Sequence, residues 1–164
     1  MSKKSSNASS GNVPTSVNVL TSAEKAIDDG LTELTLVASN QQLHKVLATS
    51  LNGDAGFHLH RSETATACLE TLDKSNSKIV FVDLILEDMD GLSLIEEIRS
   101  RYRCLHIVAI MCKNELAAID LPVENIKIMA AQSGANAVFL APFNLAELLT
   151  TIERFCEAAA EPTI

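Results

Sequence analysis

Aromatic residues are scarce in this chain: they fill 4% of its 164 positions, with one tyrosine and no tryptophan. Leu, Ile, Val and Ala must therefore build the core, and a site that sandwiches a planar cofactor between rings is not expected. No apolar run approaches the 18 residues that a membrane-spanning helix needs, and no apolar stretch of a secretory signal follows Lys3 and Lys4. The four cysteines, Cys68, Cys104, Cys112 and Cys156, show neither C-x-x-C spacing nor histidines at metal-like intervals. This argues against a zinc framework and predicts buried or half-buried free thiols in a reducing, cytoplasmic setting. Positive charge is also short, with 13 Lys and Arg against 21 Asp and Glu and a net charge of −8. An acidic surface repels phosphate backbones and anionic lipid, so neither nucleic acid nor membrane is expected as a partner.

What is present suffices for one domain with a proper core: 47% hydrophobic and 21% charged residues. Residues 1–30 read as a disordered tail rich in Ser and Asn. A short helix over 23–29 fits within it, between Ser22 as N-cap and Gly30 as stop. Residues 31–157 form the domain, and 158–164 a loose tail.

Within the domain, short apolar runs alternate with helical periodicity. Strands are expected over 34–37, 56–60, 79–82, 107–111 and 137–140. The first helix is capped by Asn40, turns Leu43, Val46, Leu47 and Leu51 inward, and is broken by Asn52-Gly53-Asp54. The second starts at Ser62 and the third at Leu92. The fourth covers 123–132, between Pro122 and Gly134, and the last is capped by Asn144. An irregular insertion over 112–121 precedes Pro122. His58 and His60, two apart, share one face of a strand and are expected to be exposed at a sheet edge. Five strands alternating with five helices predict an α/β fold: a doubly wound, five-stranded parallel sheet of flavodoxin-like order 2-1-3-4-5, with helices on both faces.

The most informative segment is 78–91, Lys-Ile-Val-Phe-Val-Asp-Leu-Ile-Leu-Glu-Asp-Met-Asp-Gly. A buried strand stops at Asp83. An acidic loop with Glu87, Asp88 and Asp90 follows, and Gly91 closes it. A carboxylate at the C-terminal end of such a strand sits where open α/β sheets place their chemistry. Two further marks keep order and spacing with it: Gln132-Ser133-Gly134-Ala135 at the end of the fourth helix, and Ala141-Pro142-Phe143 after the fifth strand.

On these residues the chain, from about Leu34 to Cys156, resembles the receiver domains of response regulators. The resemblance implies that Asp83 is the phosphoacceptor candidate and that the chain is no enzyme in its own right. It also implies a histidine kinase, another receiver or an output protein as partner. Homodimerisation would run through the fourth helix, fifth strand and fifth helix. The departures from the family pattern carry as much content. Active receivers hold Mg²⁺ with acidic residues after the first strand; here Ala38 and Ser39 stand there. The family lysine before the proline is Ala141, the hydroxyl residue ending the fourth strand is Met111, and the switch aromatic of the fifth strand is Val138.

Phosphoryl transfer rests on positioning and on electrostatic stabilisation of spread charge. The expectation is therefore a degenerate receiver without metal or cofactor, acting through protein–protein contact in signal transduction. Asp83 is then a relic carboxylate bonded to backbone amides or Ser39, and Glu87 and Asp88 belong to a solvated loop. Little chain follows Phe155, so a stand-alone module is expected. Two alternatives remain: an atypical phosphoacceptor using Asp83, or a small-molecule or flavin binder of the same fold. Against flavin, the loop after the first strand (Ala38-Ser39-Asn40-Gln41-Gln42) has no glycine for close phosphate approach.

Overall fold

The computed structural model describes residues 31–51 and 56–160. The expected tail and short helix before residue 31, the Asn52-Gly53-Asp54 break and residues 161–164 lie outside them. The elements run β1 (Thr32–Val37), α1 (Gln41–Leu51), β2 (Phe57–Ser62), α2 (Ala65–Lys74), β3 (Ile79–Asp83), α3 (Gly91–Arg101), β4 (His106–Cys112), α4 (Lys113–Leu116), α5 (Val123–Ser133), β5 (Ala137–Ala141) and α6 (Leu145–Ala160). The five strands form one sheet in the order β2-β1-β3-β4-β5, every neighbouring pair parallel. This is the expected 2-1-3-4-5 arrangement.

The alternation of side chains along each strand divides the core between the two faces of the sheet. Leu34, Leu36, Ile79, Phe81, Val108 and Ile110 pack under α1 and α6, against Leu43, Leu47, Leu148 and Ile152. Val37, Val80, Val82, Ile107 and Ala109 pack under α2, α3 and α5, against Cys68, Leu72, Leu94, Ile95 and Ala130. The inner strands β3 and β4 are apolar on both faces and read as continuous runs, whereas β1 buries Glu33 and Thr35 on one face.

Several boundaries differ from expectation. Ser62 does not start α2 but ends β2, paired with Val37. Thr64 is the N-cap, its side chain accepting from Ala67 N, so a Ser-x-Thr run offered two capping hydroxyls and the sheet claimed the first. The insertion is not irregular throughout, because Lys113–Leu116 makes one helical turn. Helix α6 runs to Ala160, so the expected loose tail is helical for its first three residues.

In α1, Val46 is exposed while His44 is buried. The histidine is held inside by a 2.6 Å bond between its Nε2 and the Ala38 carbonyl. His60 is not exposed on the edge strand either; its Nε2 lies 2.5 Å from Oε1 of Glu33, which is buried in β1. All four cysteines are free thiols, and Cys104 is exposed rather than buried.

Candidate functional site

The site is built at the C-terminal edge of the sheet, where β1, β3, β4 and β5 end. Asp83 is the last residue of β3 and is fully buried. Its Oδ1 accepts from the Ile85 amide at 3.0 Å. Its Oδ2 is buried without a hydrogen-bond partner. Burial pushes the Asp83 carboxyl from the ordinary 3.8 up to about 7; the Ile85 bond opposes the shift and the nearby Glu115 adds to it.

The loop beyond Asp83 is held from both sides. Asp90 caps α3, accepting from Ser93 N at 2.9 Å and Ser93 Oγ at 2.6 Å. Those two bonds hold its carboxyl below the usual range. Gly91 is required by close approach, since a Cβ there would stand 2.4 Å from Leu84 Cα and 2.7 Å from the Asp83 carbonyl. Glu87 is exposed, as a solvated loop predicts. Asp88 is exposed but engaged: it accepts from Ala65 N at 2.9 Å, and from Thr66 N and Thr66 Oγ1. The Ala65 bond above all depresses its pKa. A carboxylate at the first turn of α2 is favoured by the exposed amides there, and it ties the loop after β3 to its neighbouring helix.

The residues expected around Asp83 are placed as follows. Ala38 is buried directly after β1, its N–H donating to the Ser62 carbonyl. Ser39 does not bond Asp83; its hydroxyl donates to the Glu63 carbonyl at 3.3 Å. Of the two partners expected for Asp83, the structure has the backbone amide, that of Ile85, and not Ser39, whose hydroxyl the loop turns toward α2. Asn40 accepts from Gln42 N and Leu43 N as the N-cap of α1. Its amide group reaches Cys112 Sγ at 3.7 Å. Met111 is buried and lines a groove with Leu84, Leu92 and Ile126. Ala141 closes β5 opposite Cys112, and the Ala141–Pro142 peptide is cis. Val138 is half-buried in β5, against the core under α3 and α5.

Glu115 escaped the sequence reading. It lies on the single turn of α4, half-buried, with its Oε2 buried and unpartnered. Its charge raises the pKa of Asp83 and, with burial as the main cause, that of Cys112, which stands at about 11. The signal was an acidic residue in the insertion directly after β4. In the sheet order β3 and β4 are neighbours, so a carboxylate three residues past β4 falls beside the end of β3. Next to this cluster lies a cavity of about 360 Å³, walled by Leu43, Val46, Cys112, Glu115, Ala141 and Phe143 among others.

The family described as response regulator receiver domain matches residues 34–153. The chain is 26% identical over 118 residues to the KDP operon transcriptional regulatory protein KdpE of Escherichia coli K12, which covers 72% of this chain and 48% of that protein. It is 26% identical over 119 residues to the DNA-binding transcriptional regulator NtrC of the same organism, covering 73% and 24%. The chain thus spans about a quarter to a half of these curated relatives. Among solved structures it is similar to a two-component response regulator from Clostridium difficile, with TM-score 0.69, 18% identity and coverage of 79% and 99%. It is also similar to a CheY-like receiver domain protein from Methanospirillum hungatei, with TM-score 0.67, 20% identity and coverage of 80% and 99%.

Proposed function

We propose, on the premise that this chain belongs to the response regulator receiver domain family, that it serves signal transduction by binding a protein partner without a phosphorylation switch. The observation that carries this reading is the chemistry around Asp83. Ala38 and Ala141 put methyl groups where a phosphoryl group requires a metal ligand and a cation.

The donor set does not fit a hard divalent cation, which wants several oxygen ligands with carboxylates supplying charge. Ala38 has no donor, Ser39 is turned to Glu63 and Asn40 Oδ1 caps α1. Among the described residues no three His, Cys, Asp or Glu converge as a metal would need. The partner is a histidine kinase, another receiver or an output protein, met in the cytoplasm. Among the described residues no helix is long and apolar enough to cross a membrane.

One observation favours a second reading, in which Asp83 is phosphorylated at an unconventional site: its Oδ2 has no partner and could act as a nucleophile. Amide NMR in Mg²⁺ with beryllofluoride, a phosphoryl mimic, separates the two. The first reading expects no shifts at millimolar Mg²⁺. Shifts around Asp83, Met111 and Ala141 that vanish in Asp83→Ala would overturn it in favour of the second.

A further inference from the structure

We propose that the cavity beside Asp83 is a ligand site for a small organic ammonium ion carried on an apolar body, of the arylalkylamine or branched alkylamine class. The inference rests on the reading that Asp83 is not part of a phosphorylation switch, and it extends that reading by assigning the crevice an occupant.

Three observations converge on it. First, the cavity lies outside the carboxyl ends of the strands, where open α/β sheets bind ligands. Its volume of about 360 Å³ falls at the small end of the range for small-molecule sites. Ala141 helps to open it, because a methyl stands at the floor where a long side chain would fill the space.

Second, its walls are mostly apolar. Leu43, Val46, Ala141, Pro142 and Phe143 supply them, and Val46 is 40% exposed at the rim although it belongs to a core helix. An aliphatic or aryl group of matching size would cover that surface.

Third, the inner wall carries a carboxylate: Glu115 lines the cavity and keeps one buried acceptor oxygen unpartnered. Lys113 is the cation of the lining and is exposed, where water screens its charge. A carboxylate with a buried oxygen left free beside an apolar wall calls for a donor with positive charge. An ammonium supplies three N–H donors and offsets a negative potential that burial has left uncompensated. A carboxylate or phosphate ligand would meet like charge instead.

The test is amide NMR titration of the full chain with 2-phenylethylammonium and 3-methylbutylammonium chloride. Phenylacetate and 2-phenylethanol serve as anionic and neutral controls of similar shape. The ammonium ions are expected to saturate shifts at Val46, Cys112, Glu115 and Phe143. They should bind at least about tenfold tighter than phenylacetate, and Glu115→Gln should remove that preference. Ala141→Leu should fill the cavity and abolish binding; Val46→Trp blocks the rim from an exposed position and serves should Ala141→Leu fail to fold. The proposal is overturned by the absence of shifts at tens of millimolar ammonium, by phenylacetate binding as well as the amines, or by binding that survives both cavity variants. None of these results depends on beryllofluoride, so this proposal and the absence of a phosphorylation switch fail separately.

Discussion

At the scale of single residues, Asp83 carries a pH dependence whose sign is fixed by its burial. Its carboxyl titrates near 7 in the folded chain against an ordinary 3.8. Between those values the folded state binds the proton and the unfolded state releases it. Stability therefore falls as pH rises through this window, and above it the buried charge acts as a full penalty. Asp88 and Asp90 are depressed and contribute the opposite trend, losing stability as pH falls toward their folded values. Comparison with Asp83→Asn cancels those contributions. The expected result is that wild type loses stability relative to Asp83→Asn from about pH 4 to pH 7, by at most about 4 kcal/mol, read by urea denaturation across that range. A flat difference would mean that Asp83 is ionised at neutral pH and finds a partner in solution. Asp83 itself was legible in the sequence because a β-prone run ends on it. Its companions were not. Glu115 reaches it through strand adjacency rather than chain proximity, and His44 occupies an inward position that periodicity gives to an apolar residue.

At the scale of elements, the junction between α3, α5 and β5 depends on one side chain that composition does not single out. Arg99, in the last turns of α3, donates from Nη1 to the carbonyls of Tyr102, Arg103 and Leu105. From Nε and Nη2 it donates to the Gly134 carbonyl, and Nη2 also reaches Asn136 Oδ1 at 2.8 Å. It thus satisfies carbonyls after α3 and after α5 at once. Gly134, with φ of +127°, packs its Cα side against the Arg99 stem, and a Cβ there would come within 3.1 Å of it. Arg99→Ala is expected to lower stability by about 2–4 kcal/mol, the scale of a lost network of charge-assisted bonds. Arg99→Lys should recover only part, because an ammonium lacks the planar fork. Equal stability of all three in urea would show that water replaces these bonds without loss. Gly134 was legible as a stop, since a residue with positive φ ends the helix. The arginine clamp was not, because its acceptors lie up to 37 residues away. Likewise the start of α2 was misread by three residues, as the pairing of Ser62 with Val37 is a tertiary fact that local capping preference cannot see.

At the scale of the whole molecule, the two sides of the sheet are finished differently. The edge strand β2 is guarded by polar and charged side chains: it reads Phe-His-Leu-His-Arg-Ser, and its His60 pairs with the buried Glu33 of β1. The edge at β5 is not shielded in that way: all five residues Ala137–Ala141 are only half-buried, although the strand reads Ala-Val-Phe-Leu-Ala. The helices flanking it add Ile128, Met129 and Leu145, three of the seven large apolar residues exposed among those described. An apolar, incompletely covered edge is a surface that proteins cover with another chain or guard with charge. Lys127 and Glu124 guard part of it, and they pair with each other along α5 at 3.4 Å rather than with a partner. We therefore expect self-association through α5, β5 and α6, as a two-fold contact in which the same patch serves both copies. The net charge of −8 opposes this at low ionic strength, so salt should strengthen the dimer rather than weaken it. Sedimentation equilibrium in low and high salt gives the check. A monomer–dimer equilibrium should shift toward dimer with salt, and Ile128→Glu should return it to monomer while the circular dichroism spectrum is unchanged. A chain that stays monomeric at high protein concentration in both salts would mean that this edge is reserved for a different partner.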